Sequence, residues 1–400
     1  MDKEKFIKDL CIETDSKIVL LVMDGLGDLP QNGATTLEAA SIPNLDSLAR
    51  TGCCGLTDPV FRGITPGSGP AHLSLFGYDP TKYILGRGIL EALGINIDVT
   101  QNDMVARGNF ATLKGGLIVD RRAGRISTEK NQDLCAKLNE TVKEVDNNKI
   151  SFFTGKEHRF VIKFTAEGLS DQLSDADPQK ENKPIVYPEP ISSEAKRTAE
   201  IVNKVMDKVT EALREEKKAN TILLRGFSKF PSIPSMEDLF KLKPAAIANY
   251  PMYKGLAKLV GMAVLDAGSE LIDLFESLKK NYHKYNFFYV HVKKTDSYGE
   301  DGNFQAKKET IEKTDRFIPV ILDLKPDVLV VTSDHSTPCL LKSHSWHPNP
   351  FLMHSKYAQT DNVKKFTEKE CSHGYLGRFR SLYAMPLMLA HAGKLVKFGA

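Results

Sequence analysis

Three aspartates each follow a short apolar segment of the sequence, and together they indicate a chemical site. Asp24 ends the run LLVMD, Asp296 ends HVKKTD, and Asp334 lies in VVTSDH. If the apolar runs are parallel strands, their carboxyl ends share one edge of a sheet, where open α/β sheets bind their ligands. Carboxylates brought together at such an edge repel one another unless a cation lies between them.

Two histidines add nitrogen donors to this predicted acidic edge. His335 directly follows Asp334, and His344 lies nine residues further along the chain. Mixed carboxylate and imidazole ligation suits Mn²⁺, Zn²⁺ or Fe²⁺ better than Ca²⁺. A single aspartate would be interpreted as a turn or helix-cap residue, but three at equivalent strand ends with two histidines favour a metal site.

Ser68 is the candidate nucleophile. It stands in a Gly/Pro turn, ITPGSGPAH, just before an apolar helical pattern. A hydroxyl at a helix N-terminus lies at the positive end of the helix dipole, which favours an alkoxide and an incoming phosphate. The alternative is an ordinary N-cap. Pro66 excludes the GxSxG elbow of lipases, and no GxxxxGK[ST] phosphate loop is present.

Basic side chains beside glycines or strand ends are candidates for binding an anionic ligand. A guanidinium binds phosphate or carboxylate through two parallel hydrogen bonds. A single arginine is more often a surface charge, and its sequence context only modestly favours a binding role. The candidates are Arg87, Arg121, Arg122, Arg125, His158, Arg159, Arg225 and Lys254.

The elements that would position these residues can be predicted from hydrophobic patterning. Ile18–Met23, Phe287–Val292 and Val328–Val331 are continuous apolar runs, as expected for strands covered on both faces. Helical spacing follows between them, first from Leu271 to Tyr282 and then from Phe304 to Leu324, where Pro326 ends the second helix. Alternating strands and helices predict an α/β fold with a parallel sheet.

The middle of the chain has a different pattern and predicts an inserted domain. Strands are expected between residues 97 and 118 and at 160–164, followed by a proline-rich loop at 174–193 and an amphipathic helix through 201–213. We expect residues 98–220 to form an inserted cap and residues 1–97 and 221–400 to form one discontinuous core. Asp24 and Ser68 can meet Asp296, Asp334 and His344 only if the two outer segments fold together.

Length and composition agree with two or three globular domains. The chain has 400 residues and a net charge of 54 − 51 = +3, so no global field favours nucleic acid. No apolar run is long enough for a membrane span, and the N-terminus lacks a secretory signal. The six cysteines form no CxxC pair, which predicts reduced thiols in a cytoplasmic protein. Adjacent Cys53 and Cys54 could be metal or redox residues, but buried fillers are favoured.

The motif order resembles one family. LVMDGLGD, TPGSGPAH, DGNF, TSDHSTP, SHSWHPNP and a final KFGA are similar to segments of the archaeal-type, cofactor-independent phosphoglycerate mutases of the alkaline phosphatase superfamily. The resemblance implies an alkaline phosphatase-like core, with a mostly parallel sheet flanked by helices, and an inserted α+β substrate-binding cap. It also implies a cytoplasmic isomerase of glycolysis and gluconeogenesis that interconverts 3-phosphoglycerate and 2-phosphoglycerate without 2,3-bisphosphoglycerate.

The resemblance also implies roles for individual residues. Two divalent ions, Mn²⁺ or Zn²⁺ with Mg²⁺ as an alternative, would be held by Asp24, Ser68, Asp334 and His335 at one site and by Asp296, Glu300 and His344 at the other. Ser68 would accept the phosphoryl group as phosphoserine, and His72 would help to hold it. The glycerate would be bound by Arg122, Arg125, His158 and Arg159, with Arg87, Arg225 and Lys254 nearby. The expected partner is therefore a small phosphorylated metabolite, with no nucleic acid and no membrane.

Two departures from the family pattern leave alternatives open. Glu300 stands where the mutases carry the histidine of DxxxHDGN, and Trp346 and His347 replace residues of the usual HSxDPVP. A carboxylate at position 300 would favour harder ions such as Mn²⁺ or Mg²⁺. These departures resemble a bacterial side-branch proposed to phosphorylate homoserine, so a homoserine kinase-like phosphotransferase or a phosphatase is the alternative. A metal-binding protein without catalysis is a third hypothesis, and the native metal and the oligomeric state stay open.

Overall fold

A computed structural model of the chain describes residues 3–399, without the side chain of Lys3. The chain divides into two compact units, one made of residues up to 84 and from 233 onward, and the other of residues 85–232. Among the described residues, no helix is both long and apolar enough to cross a lipid bilayer.

The described part of the chain contains fifteen strands and fifteen α-helices. The strands are β1 (Ile18–Met23), β2 (Cys53–Asp58), β3 (Asp103–Lys114), β4 (Leu117–Asp120), β5 (Glu144–Val145), β6 (Asn148–Thr154), β7 (Arg159–Thr165), β8 (Lys183–Pro184), β9 (Thr221–Lys229), β10 (Pro244–Ile247), β11 (Ala263–Leu265), β12 (Phe287–Val292), β13 (Val328–Thr332), β14 (Asn349–Ser355) and β15 (Gly377–Arg380). The helices are α1 (Lys3–Leu10), α2 (Thr36–Ala39), α3 (Pro43–Thr51), α4 (Ser68–Leu75), α5 (Arg87–Gly94), α6 (Thr128–Thr141), α7 (Lys196–Ala212), α8 (Met236–Phe240), α9 (Pro251–Leu259), α10 (Leu271–Asn281), α11 (Lys294–Asp301), α12 (Phe304–Asp315), α13 (Ile318–Asp323), α14 (Glu368–Cys371) and α15 (Ala384–His391).

The first unit contains an eight-stranded sheet in the order β11-β10-β12-β1-β13-β14-β2-β15. Its strand pairs are parallel except those made by β14, which runs antiparallel to both neighbours. The predicted α/β fold with a mostly parallel sheet is thus confirmed. Every residue of β1, β12 and β13 is buried, because both faces of the sheet are covered. These strands are adjacent and parallel, so their carboxyl ends meet at one edge.

One predicted helix is divided in the structure. The apolar spacing from Phe304 to Leu324 predicted a continuous helix, but α12 ends at Asp315 and α13 begins at Ile318. Pro319 explains the break, because its ring would clash with the Asp315 carbonyl and it has no N–H to continue the hydrogen-bond ladder. At the first turn of α13, the same proline is well tolerated.

The second unit has its own sheet and core. Its sheet runs β5-β6-β7-β3-β4-β8, and β9 pairs antiparallel with β3. An apolar cluster of buried side chains includes Phe110, Phe160, Ile162, Leu224 and Val205. These side chains come from the sheet and from α7, so this unit buries apolar surface independently of the first sheet.

The boundaries of the second unit differ from the sequence-based boundaries of 98 and 220. Helix α5 and strand β9, which we had assigned to the core, belong to residues 85–232. Because β9 pairs with β3 along most of its length and α5 packs on both strands, these segments stay with the inserted sheet. The sequence could not show this, since the residues of an apolar strand do not indicate which sheet the strand joins.

A fully buried lysine ties together the loops that follow β1 and β13. The Lys307 Nζ lies 2.9 Å from the Thr337 carbonyl oxygen, 3.3 Å from the Gly27 carbonyl oxygen and 3.4 Å from the Asp28 Oδ2. The side chains of Lys307 and Asp28 are both 0% exposed. A buried ion pair with additional hydrogen bonds fixes geometry, and removing one partner leaves an uncompensated charge.

We expect Lys307→Met to lower the free energy of unfolding by roughly 3–5 kcal/mol, because Asp28 would stay buried without its counter-ion. The neighbouring Lys308 pairs with Glu312 at 3.0 Å on the helix surface, and Lys308→Met should cost only about 0.5 kcal/mol. Urea unfolding followed by circular dichroism measures both. Equally small decreases in the free energy of unfolding of the two variants would contradict a structural role for the buried pair.

Candidate active site

The segments that follow β1, β12 and β13 bring three aspartates together, as the sequence predicted, with Asp296 in the first turn of α11. Asp24, Asp296 and Asp334 are at most 1% exposed. Gly25 makes the turn after Asp24 with φ +63°, and a Cβ there would collide with the side chains of Asp296 and Thr337. Glycine is required at this position both for its backbone conformation and for the close approach.

Four donor atoms converge in the first group of ligands. The His335 Nε2 lies 3.3 Å from the Ser68 Oγ, 3.3 Å from the Asp24 Oδ1 and 3.1 Å from the Asp334 Oδ2. The Asp24 Oδ1 and Asp334 Oδ2 are buried without a hydrogen-bond partner among the described residues. Because an unpaired buried carboxylate oxygen is costly, these atoms fit a cation that would accept them as ligands.

A second group of donors lies beside the first and shares His335. Asp296, His335 and His344 each offer an atom within 4.8 Å of the others. The His344 Nδ1 is 3.0 Å from the Pro66 carbonyl oxygen, which can only accept, so Nδ1 carries the proton. Its Nε2, 3.6 Å from the Asp296 Oδ1, therefore presents a lone pair, as a metal-binding imidazole must.

Thr337 fixes the tautomer of His335 in the same way. The Thr337 hydroxyl donates its single hydrogen to the Asp296 Oδ1 at 2.6 Å. It must therefore accept from the His335 Nδ1, 3.0 Å away, which leaves the His335 Nε2 unprotonated, with its lone pair facing Asp24, Asp334 and Ser68. Such outer hydrogen bonds orient metal ligands and are characteristic of metal centres.

The pKa values of the two carboxylates in the first group are shifted in opposite directions. Burial raises the pKa of Asp24, but a hydrogen bond from His291 and the charge of Lys293 outweigh burial and hold the pKa well below its usual value. Burial and repulsion from Asp24 and Asp296 raise the pKa of Asp334 well above its usual value. Two facing carboxylates divide in this way when they are not fully neutralised, so Lys293 alone does not balance the negative charge of the three aspartates.

Glu300 lies at the margin of the second group. It stands one helical turn after Asp296 on α11, its side chain is 55% exposed, and its Oε1 is 4.0 Å from the His344 Nε2. Burial and the charge of Asp296 raise its pKa. The structure thus places Glu300 beside the second group, and its role as a ligand stays a prediction.

His72 lies behind Ser68, on the next turn of α4. Its Nδ1 donates to the Ser68 carbonyl oxygen at 2.9 Å, and its ring contacts Phe76, Tyr253 and Tyr289. The ring is fully buried, and burial lowers the pKa of His72 from 6.5 to about 3. These contacts support a role in positioning Ser68, while the predicted contact of His72 with a phosphoryl group stays untested.

Sequence reasoning missed three residues at this site. The Lys293 Nζ contacts the Asp296 Oδ2 at 2.5 Å and the Tyr253 hydroxyl at 3.0 Å. The Tyr253 ring stacks on His291, whose Nε2 lies 3.1 Å from the Asp24 Oδ2. The motif HVKKTD contained a usable signal, because Lys293 precedes Asp296 by three residues and faces it on one helical turn.

The second unit carries a separate cluster of arginines on one face of its sheet. Arg107 of β3 is paired in register with Arg225 of β9, and the next residue on that face, Asn109, is paired with Arg159 of β7. Cross-strand partners point to the same side of a sheet, and the opposite side is the apolar core. Burial lowers the pKa of Arg107, and the charges of Arg159, Arg225 and Arg87 lower it further.

Arg87 joins this cluster through the close packing of α5. A Cβ on Gly88 would lie 2.5 Å from the Gly226 carbonyl oxygen and 2.6 Å from the Val105 carbonyl oxygen, so only glycine lets the start of α5 rest on the strands. The Arg107 guanidinium, which the sequence pattern did not indicate, has no hydrogen-bond or ion-pair partner in the described part of the chain, and Glu91 is the nearby carboxylate whose charge raises its pKa. Donors left unpaired in a group of like charges are typical of an anion site.

Besides being buried, His158 lies close enough to Arg159, Arg122 and Arg125 for the charges of all three to lower its pKa. The turn holding Arg122 and Arg125 is strained, since Ala123 and Arg125 have φ near +50° and the Asp120 carboxylate caps the turn. Burial lowers the pKa of His158, and the charge of Arg159 adds to the effect. Backbone strain of this kind concentrates at functional sites.

Two other basic candidates have different surroundings. Arg121 forms a two-pronged ion pair with Asp177 at 2.9 and 2.7 Å, which gives its guanidinium an internal structural partner. Lys254 lies on α9 in the first unit and is partly exposed. All six cysteines are free and buried, including Cys53 and Cys54 in β2, as expected for fillers of the core.

Comparison with known proteins adds independent evidence. A family model for 2,3-bisphosphoglycerate-independent phosphoglycerate mutase matches residues 49–219. Proteins named probable 2,3-bisphosphoglycerate-independent phosphoglycerate mutase from Thermosipho africanus and Thermus thermophilus are 57% and 50% identical, over 100% of both chains in each case. The solved cofactor-independent phosphoglycerate mutase of Thermoplasma acidophilum has a TM-score of 0.80 and 30% identity, covering 94% of this chain and 100% of that one.

The fold and the two groups of metal-donor atoms are thus typical of an α/β protein that transfers phosphoryl groups and carries an inserted arginine-rich unit. At these identities over full length, the chain belongs to the family of 2,3-bisphosphoglycerate-independent phosphoglycerate mutases. The resemblance inferred from the motif order is confirmed.

The buried, neutral His72 predicts how stability depends on pH. Its folded pKa of about 3 lies below its ordinary 6.5, so between these values the unfolded chain binds a proton that the folded chain does not. The free energy of unfolding should therefore fall as pH drops below 6.5. His72→Gln lacks this titrating group. The free energy of unfolding of the wild type, relative to that of His72→Gln, should therefore fall by roughly 2–3 kcal/mol between pH 6.5 and pH 4.5. Urea unfolding of metal-free protein at both pH values measures this, with exposed His283→Gln as control; parallel profiles for wild type and His72→Gln would contradict it.

Proposed function

We propose that this chain is a metal-dependent phosphoglycerate mutase that interconverts 3-phosphoglycerate and 2-phosphoglycerate through phosphoserine at Ser68. The observation that carries the proposal is the convergence of the Ser68 Oγ with His335 and with two unpartnered carboxylate oxygens of Asp24 and Asp334. A hydroxyl at the start of α4, next to donors for a cation, is placed as a phosphoryl acceptor would be.

Two divalent ions fit the donor atoms. Asp24, Asp334, His335 and Ser68 would hold one, and Asp296, His344 and Glu300 the other, with His335 close to both. When bound, such ions neutralise phosphoryl charge and lower the pKa of a nucleophilic hydroxyl. Oxygen and imidazole donors suit Mn²⁺ or Zn²⁺, and the carboxylate at position 300 favours Mn²⁺ over Zn²⁺, with Mg²⁺ as an alternative.

The covalent step uses Ser68 twice. Its oxygen forms a bond to the phosphorus of 3-phosphoglycerate while the bond from phosphorus to the C3 oxygen breaks, which leaves phosphoserine and glycerate. The C2 hydroxyl of the same glycerate then attacks the phosphorus, and Ser68 is released with 2-phosphoglycerate. Because the phosphoryl group returns to the glycerate that gave it, no second phosphorylated cofactor is consumed.

The arginines of the second unit are assigned to anion recognition. Arg122, Arg125, His158 and Arg159 form one group, and Arg87, Arg107 and Arg225 form the other. Phosphoglycerate carries a carboxylate and a phosphate, both of which suit guanidinium donors. Lys254 of the first unit is the remaining predicted contact, and His72 supports the backbone of Ser68. A cytoplasmic step of glycolysis and gluconeogenesis is the corresponding role, in keeping with six free cysteines.

A second candidate, a homoserine kinase-like phosphotransferase or a phosphatase, is favoured by one observation. Glu300 lies beside His344 at the position where the mutases carry histidine. The enolase-coupled assay with Mn²⁺ and without 2,3-bisphosphoglycerate separates the candidates, because only a mutase converts 3-phosphoglycerate to the enolase substrate. Absence of turnover with every divalent metal would reject the mutase, and phosphohomoserine formed from homoserine and ATP would support the kinase.

Ser68→Ala should lower kcat for mutase turnover by at least about 10⁴-fold, since the group that accepts the phosphoryl is lost. Mass spectrometry of wild-type protein quenched during turnover should show phosphate on Ser68. The control is Ser47→Ala, a serine on α3 away from the site, which should keep wild-type kinetics. Substantial activity in Ser68→Ala would reject the phosphoserine route.

Arg107→Met should raise the KM for 3-phosphoglycerate by about tenfold or more, because a charged hydrogen bond to an anion contributes ~1.5–3 kcal/mol. Arg107→Lys should lie in between, since it keeps the charge but loses the fork geometry. Arg214 is 66% exposed in the same unit and pairs with Glu211, so Arg214→Met is the matched control. An unchanged KM in Arg107→Met would remove this residue from the anion cluster.

A further inference from the structure

Lys293 occupies a special position among the three buried aspartates. Its Nζ lies 2.5 Å from the Asp296 Oδ2 and 3.2 Å from the Asp24 Oδ2, and its side chain is 17% exposed. Asp24 belongs to the first group of donors and Asp296 to the second. One ammonium group therefore joins the two predicted ion sites.

The oxygens that Lys293 contacts are not those that face His335 and His344, the two candidate metal-binding imidazoles. It contacts the Oδ2 of both aspartates, whereas the Oδ1 of Asp24 approaches His335 and the Oδ1 of Asp296 approaches His344. Each carboxylate can thus keep Lys293 on one oxygen and offer the other to a divalent ion. The lysine and the ions then neutralise the same negative charges.

Lys293 is the dominant positive charge of the site. Among the side chains that the structure describes, it is the one lysine or arginine within 4 Å of Asp24, Asp296 or Asp334. Lys293 is not the only group that orients these carboxylates. His291 also holds the Asp24 Oδ2, and Thr337 holds the Asp296 Oδ1.

We propose that Lys293 is the resident cation of this site, which stabilises the metal-free protein and thereby weakens the binding of divalent ions. Without ions, its charge offsets the repulsion between Asp24 and Asp296. With ions bound, those carboxylates are already neutralised, and the ammonium is repelled by the added charge. It therefore stabilises the metal-free state more than the metal-bound state, and the difference opposes ion binding by linkage.

The proposal rests on the metal sites of the proposed function and does not depend on the mutase reaction. Lys293→Met removes the charge at similar length, Lys293→Arg keeps it, and Lys294→Met removes an exposed neighbouring charge as the control. Thermal unfolding in EDTA and Mn²⁺ titration by calorimetry are measured on each full-length protein. Neither needs turnover, so failure of the mutase assay and failure of this proposal are separate results.

Lys293→Met should unfold at a lower temperature than the wild type in EDTA, show a larger rise in Tm with Mn²⁺, and bind Mn²⁺ at least ~10-fold more tightly. Lys293→Arg and Lys294→Met should stay close to the wild type in metal-free stability. If Lys293 only held the ligands in place, Lys293→Met would bind Mn²⁺ more weakly than the wild type, because disturbed ligands bind ions more weakly. Weaker or unchanged Mn²⁺ affinity in Lys293→Met, or wild-type stability in EDTA, would overturn the proposal. If Lys293→Met does not fold without metal, Lys293→Gln is measured in the same way.

Discussion

The structure depends on one electrostatic constraint, the burial of three carboxylates at the edge of a parallel sheet. Asp24, Asp296 and Asp334 are almost without solvent contact, so water cannot offset their mutual repulsion. The surrounding residues partly offset this repulsion. Lys293 and His291 keep Asp24 ionised, while burial and its two neighbours raise the pKa of Asp334. The proposed sites for divalent ions follow from this shortage of positive charge.

Local backbone and packing features serve the same arrangement. Strands β12, β1 and β13 are adjacent and parallel, which places their carboxyl ends together. Gly25 permits the close approach that a side chain would block, and buried Lys307 fixes the loops after β1 and β13 to one another. The second unit separates its surfaces by strand alternation, with apolar side chains of β3 on one face of the sheet and Arg107 on the other, beside Arg225 and Arg159 of the neighbouring strands.

Much of this could be predicted from the sequence because the signals are local. Ile18–Met23 and Phe287–Val292 were predicted to the residue, since a strand buried on both faces is a continuous apolar run. The three aspartates were found because the carboxyl end of such a run is visible in the sequence. Thr337 acts across a turn and Arg107 through its register with Arg225, and neither kind of information is contained in spacing alone. Lys293, in contrast, could have been found from its position three residues before Asp296. The break between α12 and α13 was predictable from Pro319, whereas the sheet that β9 joins was not.

The central claim is that the sheet edge binds two divalent ions, one of them against Ser68. Anomalous X-ray scattering from crystals grown with Mn²⁺ tests it most directly. Two peaks are expected, one between Ser68, Asp24, Asp334 and His335, and the other beside Asp296 and His344. Peaks elsewhere on the protein, or no peak at this edge at saturating Mn²⁺, would contradict it.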